Sequence, residues 1–200
     1  MSELIQASPT WRMKPWSTIL LFSVLAFGIY SLGAFWLEPY SGSCMFVLPG
    51  FFYVLVTVLP ILLLRRFGVG AGVFLLIGVV GGVMDYFFEY VSTPALRGPW
   101  AAVAWGLIFI GFGFAADMAF RYAPSRWNDR QRSIFTGAVM GGAMFFLVLL
   151  GLSTLYNPAG ATGNAHITYF NTSKAFFSLP WLVISGGFGG YNAYTIVKKV

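Results

Sequence analysis

Six stretches of mostly apolar residues follow one another along the chain, and each is about as long as a helix that crosses a bilayer. A spanning helix needs roughly 20 apolar residues, and these runs lack the period-two alternation of a β-barrel strand. Backbone polar groups in lipid must be satisfied within the segment, so the pattern predicts an all-α polytopic membrane protein with six transmembrane helices. The predicted spans are Trp16–Leu37, Met45–Leu64, Val69–Val91, Pro99–Phe120, Ser133–Leu155 and Ala175–Val197.

The basic residues at the ends of these spans predict the orientation of the chain. When the six spans are threaded across a membrane, ten of the 12 Lys and Arg residues fall on one side, and only Arg97 and Lys174 fall on the other. The side rich in Lys and Arg is cytoplasmic, so we expect both termini to lie in the cytoplasm. A miscounted span would have mixed the basic residues between the two sides.

The composition agrees with a single transmembrane domain over residues 1–200 in the cell membrane. Hydrophobic residues make up 58% of the chain and charged residues only 9%, whereas a soluble domain carries about 25% charged residues. The net charge of +6 does not indicate nucleic-acid binding, because the basic residues lie where membrane topology signals lie. The partner that the composition predicts is the lipid bilayer.

Several classes of chemistry find no support in the residue types. The single cysteine, Cys44, and the single histidine, His166, do not make a metal or redox centre, so we expect no metal and no cofactor. A nucleophile with a paired base is not visible, and a phosphate-binding loop ending in Lys-Ser/Thr is missing from the sequence. We therefore expect a protein that is not an enzyme and that does not hydrolyse ATP itself.

Two carboxylates inside the third span are the first candidate functional residues. Charged groups within a membrane are costly, and each is a functional hypothesis by default. Asp85 and Glu89 are four residues apart, which places them on one helical face. They are predicted to bind a cation, an amine or an aminopyrimidine, or to relay protons. The alternative is structural: one carboxylate reaches the interface while the other accepts a hydrogen bond, with Arg97 as a partner.

Aromatic and polar residues near the same end of the spans extend this candidate site. Tyr86 and Trp105 are predicted at similar depth in the outer half, where their rings would stack on a flat heterocycle. Glu38 and Asn157 lie in the predicted outer loops, so a pocket is expected to open outward. The longest connection, residues 156–174, lies on that side, and loops of this length are usually functional or disordered.

Other features predict packing or contacts with partners. Small residues four apart let helices approach closely, and Gly137 and Gly141 have this spacing. They would pack within the bundle or form a docking face for another membrane subunit. Asp117 and Arg121 are also four apart near the cytoplasmic end of the fourth span. They would form an intrahelical ion pair or contact a cytoplasmic partner.

Three stretches resemble the substrate-binding S components of energy-coupling factor transporters, particularly the YkoE-like group linked to thiamine or its pyrimidine precursor. The first is a basic turn that leads into the third span, the second follows the fourth span, and the third is a glycine-rich last helix. They are Leu64–Ala71, Gly113–Tyr122 with Arg126–Asn128, and Ile184–Gly190.

This resemblance implies a subunit that binds a vitamin-like heterocycle in an outward-facing pocket. It would act with a transmembrane coupling subunit and ATPases supplied as separate chains. The competing interpretation is a non-catalytic accessory subunit of a larger respiratory or oxygenase complex. A carboxylate pocket with stacking aromatic residues would favour the transporter, and a broad apolar face without a cavity would favour the accessory subunit.

Overall fold

A computed structural model of the chain describes residues 14–32, 47–92, 95–156, 176 and 178–199. The described residues form six helices, which agrees with the sequence pattern. They are α1 (Pro15–Leu32), α2 (Val47–Leu64), α3 (Val69–Ser92), α4 (Pro99–Tyr122), α5 (Asp129–Leu155) and α6 (Ser178–Lys199).

The helices pack as a closed bundle around a continuous hydrophobic core. Helix α3 packs between α1 and α4, α5 packs between α4 and α6, and α2 closes the bundle by contacting both α6 and α1. Phe74, Phe145 and Ile61 are fully buried in the core. The outward faces carry exposed apolar side chains such as Leu20 and Phe188, as expected where lipid surrounds a protein.

The chain is an all-α polytopic membrane protein, and the predicted fold class is confirmed. Four of the described helices, α1, α3, α4 and α5, are each long and apolar enough to cross a membrane. In α2 the apolar stretch Gly50–Leu64 is shorter than this length. Helix α6 has 22 residues, but glycine, tyrosine and asparagine lower its hydropathy.

Glycines bring neighbouring helices into backbone contact. A Cβ added to Gly113 on α4 would collide with the carbonyl group of Gly70 on α3. In the same way, a Cβ on Gly106 would meet the carbonyl oxygen of Gly78. These two pairs fix the antiparallel register of α3 and α4, because each residue of a pair lies directly opposite the other.

Local signals explain where the helices begin and end. The Asn128 side chain accepts a hydrogen bond from the Gln131 backbone, and the Gln131 side chain accepts one from the Asn128 backbone. This capping box satisfies two free N–H groups, so α5 begins at Asp129 rather than at the predicted Ser133. The turn from α2 to α3 contains two residues with left-handed backbone conformations, Arg65 (φ 48°) and Gly68 (φ 88°).

The two ends of the bundle differ in charge. We call the end that carries the α2–α3 turn and the α4–α5 loop the basic end. Arg65 in that turn forms an ion pair with Asp129 at the start of α5, with 2.7 Å between Nη2 and Oδ2. At the opposite end, an isolated antiparallel bridge joins Leu96 to Tyr156. The sequence predicts that the basic end is cytoplasmic.

Candidate functional site

Helix α3 changes its winding on both sides of Asp85. Residues Ile77–Gly81 and Tyr86–Ser92 form π-helical turns, and the segment between them, Gly82–Asp85, is α-helical. Such wide turns are rare and often occur at functional sites. Hydrophobic periodicity did not predict them, and the Gly81–Gly82 pair is the sequence signal that would have done so.

Asp85 is buried inside the bundle near the end opposite the basic end. Only 8% of its surface is exposed. Gly82 lies against Ala102, because a Cβ added to Gly82 would be 3.1 Å from the Ala102 carbonyl oxygen. In the antiparallel register of α3 and α4, this contact places Asp85 near the level of Pro99. A helical side chain covers the turn on its N-terminal side, which for Asp85 is the turn that contains Gly81.

Tyr30 of α1 faces the same turn of α3. A Cβ added to Gly81 would lie 3.8 Å from the Tyr30 hydroxyl oxygen. Gly81 has no side chain, which lets the Tyr30 hydroxyl group approach the backbone of this turn. The carboxylate of Asp85 and the phenol of Tyr30 therefore both lie near the turn that contains Gly81.

A run of aromatic rings continues from Tyr30 across the interior. The Tyr30 ring packs edge-on against Phe109 with centroids 5.3 Å apart, and Phe109 packs edge-on against Trp105 at 5.9 Å. Trp105 in turn contacts the ring of Tyr156 at 5.5 Å. We call Tyr30, Phe109, Trp105 and Tyr156 the aromatic run. Each edge-to-face pair contributes about 0.5–1.5 kcal/mol beyond its buried area.

Tyr86 and Trp105 do not lie at the similar depth that the sequence predicts. Trp105 is buried against Gly151 of α5, whereas Tyr86 is 37% exposed on the outer surface of α3. The contact of Gly78 with Gly106 places Trp105 near the level of Val79, seven residues and roughly 10 Å from Tyr86 along α3. The prediction of similar depth was wrong because helix adjacency and register were not available from the sequence.

Tyr86 instead lines a groove between α3 and α4. The groove has a volume of about 420 Å³, and its floor contains Gly78, Gly82 and Gly106. Its walls are almost entirely apolar and face outward from the bundle. The arrangement suits an acyl chain or another apolar helix rather than a cation.

The structure does not describe the side chains of three predicted site residues. Glu38 and Asn157 lie outside the described residues, and so does the side chain of Glu89, although its backbone belongs to α3. Arg97 donates a hydrogen bond from Nε to the Tyr156 carbonyl oxygen at 2.8 Å. It thereby links the α3–α4 connection to the end of α5.

The predicted ion pair between Asp117 and Arg121 is wrong. Asp117 is 3% exposed, and its two carboxylate oxygens accept the backbone N–H groups of Gly70 and Ala71, each at 3.0 Å. It therefore caps the first turn of α3. Arg121 is exposed, and its guanidinium carbon lies 5.3 Å from the centre of the Phe67 ring. Asp117 is a structural residue in this position.

The predicted docking face at Gly137 and Gly141 is occupied within the chain. An added Cβ on Gly137 would collide with the Gly186 carbonyl, and one on Gly141 with the Leu182 carbonyl. Both glycines are buried between α5 and α6. The packing interpretation is correct, and the interpretation as a partner surface is not, because α6 already covers this face.

Among the described residues there is no group of three or more His, Cys, Asp or Glu side chains that would hold a metal ion. The candidate site consists of Asp85, Tyr30 and the remaining rings of the aromatic run. Comparison with protein-family models, curated proteins and solved structures finds no match to this chain.

Proposed function

We propose that the chain is the substrate-binding subunit of an uptake transporter in the cell membrane. The proposed substrate is a small, flat, partly cationic heterocycle, and thiamine or its pyrimidine fragment is the first candidate. The observation that carries this proposal is the burial of Asp85 inside a membrane-embedded bundle. A carboxylate at this depth is a functional hypothesis by default, and a cationic or amino-bearing substrate is the ligand class that a carboxylate binds through charge-assisted hydrogen bonds.

The surroundings of Asp85 support an aromatic substrate. Tyr30 offers a hydroxyl group beside Gly81, and its ring begins the aromatic run that leads deeper into the bundle to Trp105 and Tyr156. In a low-dielectric interior, a charge-assisted hydrogen bond is stronger than in water. The π-helical turns on both sides of Asp85 give α3 a place where its end can adjust to a bound molecule.

The proposed transporter needs partners that this chain does not supply. Since its sequence has no phosphate-binding loop for ATP, energy would come from ATPases in trans through a transmembrane coupling subunit. The resemblance of the glycine-acid stretch Gly113–Tyr122 to S components supports this assignment. In this chain that stretch contains the residues that join α4 to α3.

Calorimetry on the full chain in detergent tests the proposal. The titration would use thiamine, its pyrimidine fragment and related heterocycles. We expect binding by the native sequence and about ten- to a hundredfold weaker binding by Asp85→Asn, the loss typical of one charge-assisted hydrogen bond. Tyr86→Leu is the matched control, because Tyr86 is next to Asp85 in the chain but its side chain lies in the outer groove. This variant should change the binding affinity by no more than about twofold.

A second function, an accessory subunit of a larger membrane complex, is favoured by the apolar groove between α3 and α4. A photo-crosslinker at Val83 distinguishes the two in native membranes. Crosslinks to one defined membrane protein, together with no binding of any heterocycle by the folded and monodisperse chain, would favour the accessory subunit. Crosslinks to lipid alone would count against it.

A further inference from the structure

The basic end of the bundle carries more positive charge than its carboxylates neutralise. Two described carboxylates lie there. Asp117 accepts hydrogen bonds from backbone N–H groups of α3, and Asp129 forms an ion pair with Arg65. Several exposed cationic side chains therefore have no acidic partner among the described residues. They are Lys14, Arg66, Arg121, Arg126, Arg130, Lys198 and Lys199.

One of these cations lies over an exposed aromatic ring, and a second is its neighbour in the chain. Arg121 lies over Phe67, and Arg66 directly precedes Phe67 in the α2–α3 turn. Phe67 is 49% exposed and packs edge-on against Phe114 of α4, with ring centroids 5.8 Å apart. A planar guanidinium group held on an aromatic ring is well suited to bind a phosphate.

An apolar stripe on α4 leads away from this pair of arginines. Leu107, Phe114 and Met118 are exposed on the face of α4 that ends at Arg121, with helical spacings of seven, four and three residues. From Arg121 to Leu107 the helix extends roughly 21 Å, which exceeds half of a hydrocarbon core about 30 Å thick. The surface thus joins a long apolar strip to a cationic end without a nearby free carboxylate among the described residues.

We propose that Arg66, Phe67 and Arg121 bind the phosphate headgroup of an anionic phospholipid, whose acyl chain lies along Phe114 and Met118. A phospholipid is the occupant that matches both parts of this surface, since a soluble anion would leave the apolar stripe unused. Clusters of Lys and Arg next to membrane helices attract anionic headgroups. This site is independent of the proposed substrate site, which lies at the other end of the bundle.

Native mass spectrometry of the full chain in neutral detergent tests the site. Phosphatidylglycerol and phosphatidylcholine would be titrated separately, and bound lipid counted. We expect the native sequence to prefer phosphatidylglycerol and Arg66→Gln with Arg121→Gln to lower that affinity by about thirtyfold. The matched pair Arg126→Gln with Lys198→Gln removes the same charge from the same end and should lower it by no more than about threefold.

Three outcomes would overturn the proposal. The first is equal affinity of the native sequence for phosphatidylglycerol and phosphatidylcholine. The second is a loss of affinity in the matched pair as large as in the Arg66→Gln with Arg121→Gln pair, which would indicate diffuse electrostatic attraction. The third is binding of free glycerol phosphate as tight as that of phosphatidylglycerol. The pair Arg66→Lys with Arg121→Lys keeps the charge but loses the planar guanidinium groups, so its lipid preference should lie between those of the native sequence and the glutamine pair. A preference equal to that of the native sequence would contradict recognition by the guanidinium groups.

Discussion

Asp117 of α4 holds the first turn of α3 through Gly70, whose backbone N–H donates to Oδ1 at 3.0 Å. Gly113 lies one turn before Asp117 and touches the backbone of the same residue, Gly70. Close approach of the two helices therefore lets a short carboxylate reach the free amides at the start of α3. One spacing in the sequence, Gly113 followed by Asp117, produces both contacts.

Replacement of this carboxylate is expected to destabilise the protein. Asp117→Asn keeps the size but puts an N–H₂ group against a backbone N–H group, so we expect a loss of about 1–3 kcal/mol. Asp129→Asn is the control, because it breaks a partly exposed ion pair and should cost about 1 kcal/mol or less. Unfolding in sodium dodecyl sulfate, followed by circular dichroism, measures both. Equal costs for the two variants would contradict the cap.

The glycine contacts give a second prediction with an internal control. Gly113→Ala places a methyl group into the backbone of α3, so we expect a loss of about 1–3 kcal/mol from strain. A Cβ on Gly28 in α1 meets nothing within 4 Å. Gly28→Ala should therefore be neutral, or should stabilise α1 by up to about 1 kcal/mol through helix propensity. The same unfolding titration decides, and a neutral Gly113→Ala would disprove the close packing.

The fold was predictable from the sequence because the length and apolarity of the runs determine membrane helices directly. The six helices agree with the six runs, and the earlier start of α5, at Asp129 rather than Ser133, has a local cause in the Asn128 capping box. The site was less predictable, because it depends on which helices are neighbours. Asp85 was identified from its charge in an apolar run, whereas Tyr30, on another helix, had no signal of its own.

The mistaken site assignments share one physical reason. Spacing along a single helix predicted an Asp117–Arg121 pair, and residue counts in two separate spans predicted similar depth for Tyr86 and Trp105, but contacts between helices decided both. Asp117 is bound by α3 amides, and Tyr86 and Trp105 lie on different faces of the bundle. The sequence shows which side chains are charged, but it does not show which backbone N–H groups of a neighbouring helix a carboxylate will contact.

The orientation of the bundle is tested by labelling. In a Cys44→Ser background, Asn128→Cys lies in the basic α4–α5 connection, and Gly163→Cys lies in the long connection before α6. We expect a membrane-impermeant maleimide to label Gly163→Cys in sealed cells, and to label Asn128→Cys only after the cells are opened. Labelling of both positions from the same side would disprove the six-span topology with cytoplasmic termini.

The central claim is that Asp85 recognises positive charge on a bound heterocycle, and a thermodynamic cycle tests it most directly. Calorimetry would compare thiamine with an uncharged analogue of the same shape, each titrated into the native sequence and into Asp85→Asn. We predict that the native chain prefers the cation by about tenfold or more and that Asp85→Asn removes most of this preference. An unchanged preference in Asp85→Asn, or no binding of either molecule by the folded native chain, would contradict the account.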